Sequence, residues 1–169
     1  MKHKKTIFFI ILIAILVIYI LLSSYNNLHN KQEKINNEYS NLLIEIENKI
    51  SLIKELNQLS TGNYFEIEEV KKSLIHLEDS HNINKKLYYN NILDNKINVL
   101  LIKNADNNKL SNNSTYKKLI KDIDNTNNKI LNETTKYNNK VEEYNKSIKK
   151  FPNNFISIIF NFKKQKKIS

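Results

Sequence analysis

The sequence has no cysteine, one glycine and one proline, and all 27 of its basic residues are lysine. Without cysteine it can form no disulfide, no reactive thiol and no Cys-based metal site, and redox usage says nothing of its compartment. A turn-rich β architecture needs Gly and Pro at its reversals and alternation along its strands. With one of each, and almost no alternation, the 169 residues are expected to be all-α, and a hydrophobic share of 40% is enough to bury a core as one domain. Abundant Lys, Asn and Ile fit the coding bias of an AT-rich genome, so a single Asn or Lys carries little functional weight by itself.

Catalytic parts are also missing. The chain has no glycine-rich phosphate loop, and its Ser, His and Asp residues show no nucleophile setting. His76 and His81 are five residues apart, about 140° around a helix, and Glu78 between them does not complete the His-Glu-x-x-His pattern of a zinc hydrolase. Glu66, Glu68, Glu69, Glu142 and Glu143 read as solvated helix surface. No catalytic, metal-ligating or cofactor-binding residue is assigned, and neither a small-molecule substrate nor enzymatic activity is expected.

The net charge of +10 favours acidic partners such as anionic lipid, wall polymers or nucleic acid, and it also keeps the domain soluble. Lysines and nine tyrosines together could serve single-stranded nucleic acid. Tyr39, Tyr88, Tyr137 and Tyr144, however, fall on apolar stripes, so specific nucleic-acid recognition is not expected.

Against these absences stands one long apolar run. Ile7 to Leu22 contains no charge, and residues 6–24 form a helix of about 28 Å, close to the ~30 Å hydrocarbon core of a bilayer. Lys2, Lys4 and Lys5 precede it, and neither a small-x-small cleavage site nor a lipobox cysteine follows. Residues 1–5 therefore read as a basic N-terminus and 6–24 as a retained single-pass anchor. The first lysines after the run, Lys31 and Lys34, lie several residues beyond it, which favours a cytoplasmic N-terminus with the rest of the chain outside.

Residues 25–151 carry helical periodicity. Tyr25, Leu28, Gln32, Ile35, Tyr39, Leu42, Ile46, Ile50, Ile53 and Leu56 keep near-heptad spacing, which suggests that anchor and first bundle helix (25–60) form one rod. Ser60-Thr61-Gly62-Asn63 holds the only Gly and marks a reversal. Ile67, Val70, Leu74, Leu77, His81, Asn84, Tyr88, Ile92, Asn95, Val99 and Ile102 hold one register, which predicts a single middle helix over 66–103 with a weak point at 79–84 and His81 as a polar core residue. Its length of about 57 Å matches flanking helices of about 50 Å. Ala105 to Ser114 is rich in Asn, Asp and Ser and forms the second reversal. The last helix (114–151) carries Ile120, Ile123, Asn127, Ile130, Thr134, Tyr137, Val141, Tyr144, Ile148 and Phe151 on one face, and Phe151-Pro152 ends it.

Tyr137-Asn138, Val141, Tyr144-Asn145, Ile148, Phe151-Pro152, Asn154 and Phe160-Asn161-Phe162 together resemble the C-terminal signature of the LemA family of bacterial membrane proteins. The resemblance implies a location in the bacterial plasma membrane, an N-terminal anchor and a helical bundle, and a role that is not biochemically defined. Tyr39-Ser40 and Leu52-Ile53-Lys54-Glu55-Leu56 match a second family region, where Lys54 replaces a proline and Lys49 stands at an arginine position. Relatives are often longer in the middle and four-helical; the spacing here favours three long helices, with four as the alternative.

The tail, 152–169, follows. Phe155, Ile158, Ile159 and Phe162 have i, i+3, i+4, i+7 spacing, and Lys163, Lys164, Lys166 and Lys167 come directly after. That is the composition of an interfacial membrane helix; the competing and preferred reading is that the four apolar residues cap the open end of the bundle. With three helices the tail would emerge about 50 Å from the anchoring bilayer. The expectation is a non-enzymatic, membrane-anchored envelope scaffold or adaptor serving a membrane-protein or envelope partner. The alternative is a membrane-surface or anionic-polymer binder acting through the tail.

Overall fold

A computed structural model describes residues 2–59, 64–104 and 112–168. Among them there is no strand, and the chain runs as five helices: α1 (Lys2–Leu59), α2 (Tyr64–Asp79), α3 (Ile83–Asn104), α4 (Ser114–Ser147) and α5 (Asn153–Ile159). The expected all-α class holds, and the apolar run and the first bundle helix form one uninterrupted helix. Both expected reversals, Ser60 to Asn63 and most of Ala105 to Ser114, lie outside the described residues. The chain divides into two compact units, Tyr39–Thr135 with Ile168–Ser169 and Met1–Glu38 with Lys136–Lys167.

The first of these units is a four-helix arrangement. Leu42, Ile46, Ile53 and Leu56 of α1, Val70 and Leu77 of α2, Leu93 and Leu100 of α3, and Ile123 and Ile130 of α4 are buried in it. Each fully buried Leu or Ile contributes about 1.5–3 kcal/mol. The α1 stripe is the one expected from its spacing. α2 and α3 pack on each other as an antiparallel pair. Their ion pairs confirm the direction, since Glu69 meets Lys96 at 3.0 Å while the earlier Glu66 meets the later Lys103 at 3.9 Å.

The single middle helix over 66–103 is corrected here. α2 stops at Asp79 and α3 starts at Ile83, without Gly or Pro at the break. Capping chemistry makes it. The Ser80 hydroxyl donates back to the His76 carbonyl at 2.6 Å, the Lys86 ammonium donates to the exposed Leu77 and Glu78 carbonyls, and the Asn82 side chain accepts from the Asn84 and Lys85 amides at 2.9 and 3.3 Å. Together these satisfy groups that a helix end leaves without partners. The break also resets the register. Leu87, Asn90, Leu93, Ile97, Leu100 and Asn104 face inward, whereas His81, Asn84, Tyr88, Asn95, Val99 and Ile102 are exposed. His81 is therefore not a core residue; its ring nitrogen lies 2.8 Å from the Asp79 carbonyl in the break.

Inside this unit sits a buried charge, Lys49, that is not among the stripe residues from Tyr25 to Leu56 given above. Lys49 has 0% of its side chain exposed, and its ammonium donates to the Asn90 side-chain oxygen at 2.7 Å and to the Asp94 carboxylate. Asp94 also accepts from Asn127 at 3.2 Å. Burial pulls the Lys49 pKa below 10.5, and the neighbouring Asp94 charge and hydrogen bond only partly offset this.

Candidate functional site

The second unit holds the first 38 residues and the end of the chain. None of the side chains from Ile7 to Leu22 is buried against the protein, so the whole apolar run is exposed. Immediately after it, Leu28 and Ile35 of α1 pack in a core with Tyr137, Val141, Tyr144 and Ile148, and α5 adds Ile156.

α4 ends at Ser147, five residues before Pro152 and short of the expected end at Phe151. The Asn153 amide fastens the following turn by donating to the Ser147 carbonyl at 3.3 Å and hydroxyl at 2.9 Å. α5 then runs for seven residues and ends in a Schellman arrangement, in which the Asn161 N–H donates to the Ile158 carbonyl and the Phe162 N–H to the Ser157 carbonyl. Asn161 sits at φ 56, the left-handed region that Asn tolerates better than other residues with a side chain. The flanking aromatics both reach α1, with the Phe160 ring 4.9 Å and the Phe162 ring 5.6 Å from the Tyr25 ring. The Phe-Asn-Phe triplet is thus a helix stop that delivers two rings to the point where α1 leaves its apolar run.

Beyond Phe162 the backbone has no regular structure and lies along α4. Asn145 holds it through both backbone groups of one residue, donating to the Gln165 carbonyl at 2.8 Å and accepting from the Gln165 N–H at 3.0 Å. The Tyr137 hydroxyl donates to the Lys166 carbonyl at 3.2 Å, and the Lys167 ammonium meets Glu142 at 2.7 Å. Lys146 reaches the same carboxylate at 2.6 Å. Hydrogen bonds from Lys146 and Lys167 pull the Glu142 pKa down to about 2.

Several of the expected structural residues therefore act as tail clamps. Tyr137 and Asn145 hold the extended backbone; Tyr144 is fully buried and Asn138 half-buried beside them. Pro152 sits in the turn after a cis peptide bond, and Phe151 is exposed rather than continuing the core stripe. The preferred cap reading of the tail is overturned. Phe155, Ile158 and Ile159 are 56%, 79% and 66% exposed, and Phe162 is half-buried on Tyr25. The inward residue of α5 is Ile156, which the i, i+3, i+4, i+7 pattern skips. Of the four tail lysines, Lys163, Lys164 and Lys166 are exposed, and Lys167 is committed to Glu142. The expected distance of about 50 Å between the tail and the apolar run is also corrected, because Phe160 and Phe162 lie against Tyr25, three residues beyond Leu22.

Among the described residues no group of three or more His, Asp or Glu side chains lies close enough to hold a metal ion. No curated protein matches the chain. The family model of the LemA family matches residues 31–169, which include every clamp described above. Family match, helical architecture and a C-terminal signature that folds as one interlocked tail agree, and the chain belongs to the LemA family.

Proposed function

We propose that this protein is a non-enzymatic, single-pass membrane protein that holds a helical bundle at the bilayer surface as an envelope scaffold or adaptor, with α5 lying in the interface of the membrane that anchors it. One observation carries the reading: exposed apolar surface continues from Ile7–Leu22 through Tyr25 to Phe160 and on to Phe155, Ile158 and Ile159. In water such a surface would drive aggregation, while a bilayer and its interface absorb it. Exposed Lys163 and Lys164 next to α5 suit an anionic headgroup layer. The lysines before the apolar run favour a cytoplasmic N-terminus, which places the bundle outside.

Alkaline carbonate should leave the full-length protein in the membrane fraction, and its release would remove the anchor. Ile158→Trp in proteoliposomes should be quenched by lipids brominated near the headgroup end of their acyl chains. Unquenched, water-like emission would remove α5 from the interface. Protease added to spheroplasts should digest the bundle, and protection until lysis would reverse the orientation.

A further inference from the structure

A cleft of about 660 Å³ opens between α1 and the turn after α4. Tyr19 and Ile20, which belong to the exposed apolar run, line it together with Phe151. Lys31, Lys146 and Lys150 line it as well. From Tyr19 to Lys31 the helix rises about 18 Å, enough to pass from the acyl boundary through a headgroup layer of roughly 5–8 Å.

The charges in this cleft are unevenly committed. Lys146 is held by Glu142 at 2.6 Å, and Glu143, a carboxylate on the lining, lies 3.5 Å from Lys140. Lys31 and Lys150 have no carboxylate partner among the described residues, although 17 acidic residues are available in the chain. Two ammonium groups without a carboxylate partner, in one cleft with apolar side chains of the exposed run, match a ligand with one phosphate anion and attached acyl chains. A soluble anion would leave the apolar lining unused; a zwitterionic lipid would add a cation to a lining already rich in lysine.

We infer that this cleft binds one anionic glycerophospholipid, with Lys31 and Lys150 contacting the phosphate and Tyr19, Ile20 and Phe151 lying against the upper acyl chains. The inference rests on the membrane reading above. Its test is native mass spectrometry of the full-length protein in neutral detergent, titrated with dioleoyl phosphatidylglycerol or dioleoyl phosphatidylcholine. One phosphatidylglycerol should remain bound in preference to phosphatidylcholine. Lys31→Gln/Lys150→Gln should weaken it on the order of tenfold, whereas Lys163→Gln/Lys164→Gln should change it little. Lys31→Arg/Lys150→Arg should restore retention, which separates loss of charge from loss of fold.

Equal retention of the two lipids, or equal loss in both Gln pairs, would overturn the site and leave general attraction to charge. Displacement by millimolar inorganic phosphate would assign a soluble anion and likewise overturn it. A protein that resists carbonate yet shows no lipid preference loses only the cleft, whereas one that carbonate releases loses the anchor on which the cleft depends.

Discussion

Removing the Asp94 carboxylate should destabilise the four-helix unit more than removing the Lys49 ammonium. Lys49 has no exposed side-chain surface and depends on Asp94 and Asn90, so Asp94→Ala leaves a buried ammonium with one neutral acceptor. Breaking a buried pair from one side costs about 3–5 kcal/mol. Asp94 is 26% exposed, so entering water can partly replace it and the lower end, about 3 kcal/mol, is expected. For a chain of 169 residues this corresponds to a fall in Tm of about 6–12 °C. Lys49→Met also breaks the pair from one side, but the carboxylate it leaves is partly exposed and still accepts from Asn90 and Asn127, so its Tm should fall by less than that of Asp94→Ala. Circular dichroism melts of the full-length protein in detergent measure both. The sign of the pH response follows from the depressed Lys49 pKa: between the folded value and 10.5 the unfolded chain binds more protons, so stability rises with pH in that window. Asp94→Ala should extend the window downward. An Asp94→Ala melt within 2 °C of wild type, or a Lys49→Met loss larger than that of Asp94→Ala, would refute the reasoning.

The tail and the helix break give further tests. Glu142 has a folded pKa of about 2 against 4.5 unfolded, so its hold on Lys167 is fully present above the unfolded value and is lost as pH falls through about 2. Protection of the Gln165 amide from exchange, relative to an unfolded chain at the same pH, should persist at pH 5, fall under strong acid and lose most of that change in Glu142→Gln. Asn145→Ala removes two hydrogen bonds to the backbone of one residue and should raise exchange at Gln165 while leaving α1 unchanged, with a cost of about 1–3 kcal/mol to tail docking. Asn82→Ala should cost about 1 kcal/mol and Asn82→Ser much less, because Ser also caps; equal melts would deny the cap. Ile158→Ser/Ile159→Ser should leave the Tm nearly unchanged while Ile156→Ser lowers it, and the reverse would restore the cap reading of the tail.

Where local chemistry and periodicity agree, the sequence by itself determined the structure. The apolar run, the α1 stripe and most of the α4 stripe were legible because an uninterrupted helix keeps one face in register from end to end. Lys49 was legible too: Leu28, Ile35, Leu42, Lys49 and Leu56 are spaced by sevens, so the lysine stands on the core stripe. What its ammonium meets was not legible, because Asn90 and Asp94 are 41 and 45 residues away along the chain.

The middle of the chain and the tail were decided only by tertiary structure. Apolar residues on both sides of Asp79–Asn82 fit one continuous register on paper, but Ser80, Asn82 and Lys86 satisfy two helix ends there, and packing of α2 on α3 rewards the reversal. The tail has two competing apolar faces within α5, Ile156 on one and Phe155, Ile158 and Ile159 on the other. Composition favours burying the larger face. Asn153, Asn161 and Asn145 instead fix the backbone so that the smaller face meets the core and the larger one stays outside. Side-chain hydrogen bonds to particular backbone groups made that choice, and hydrophobic periodicity does not encode them.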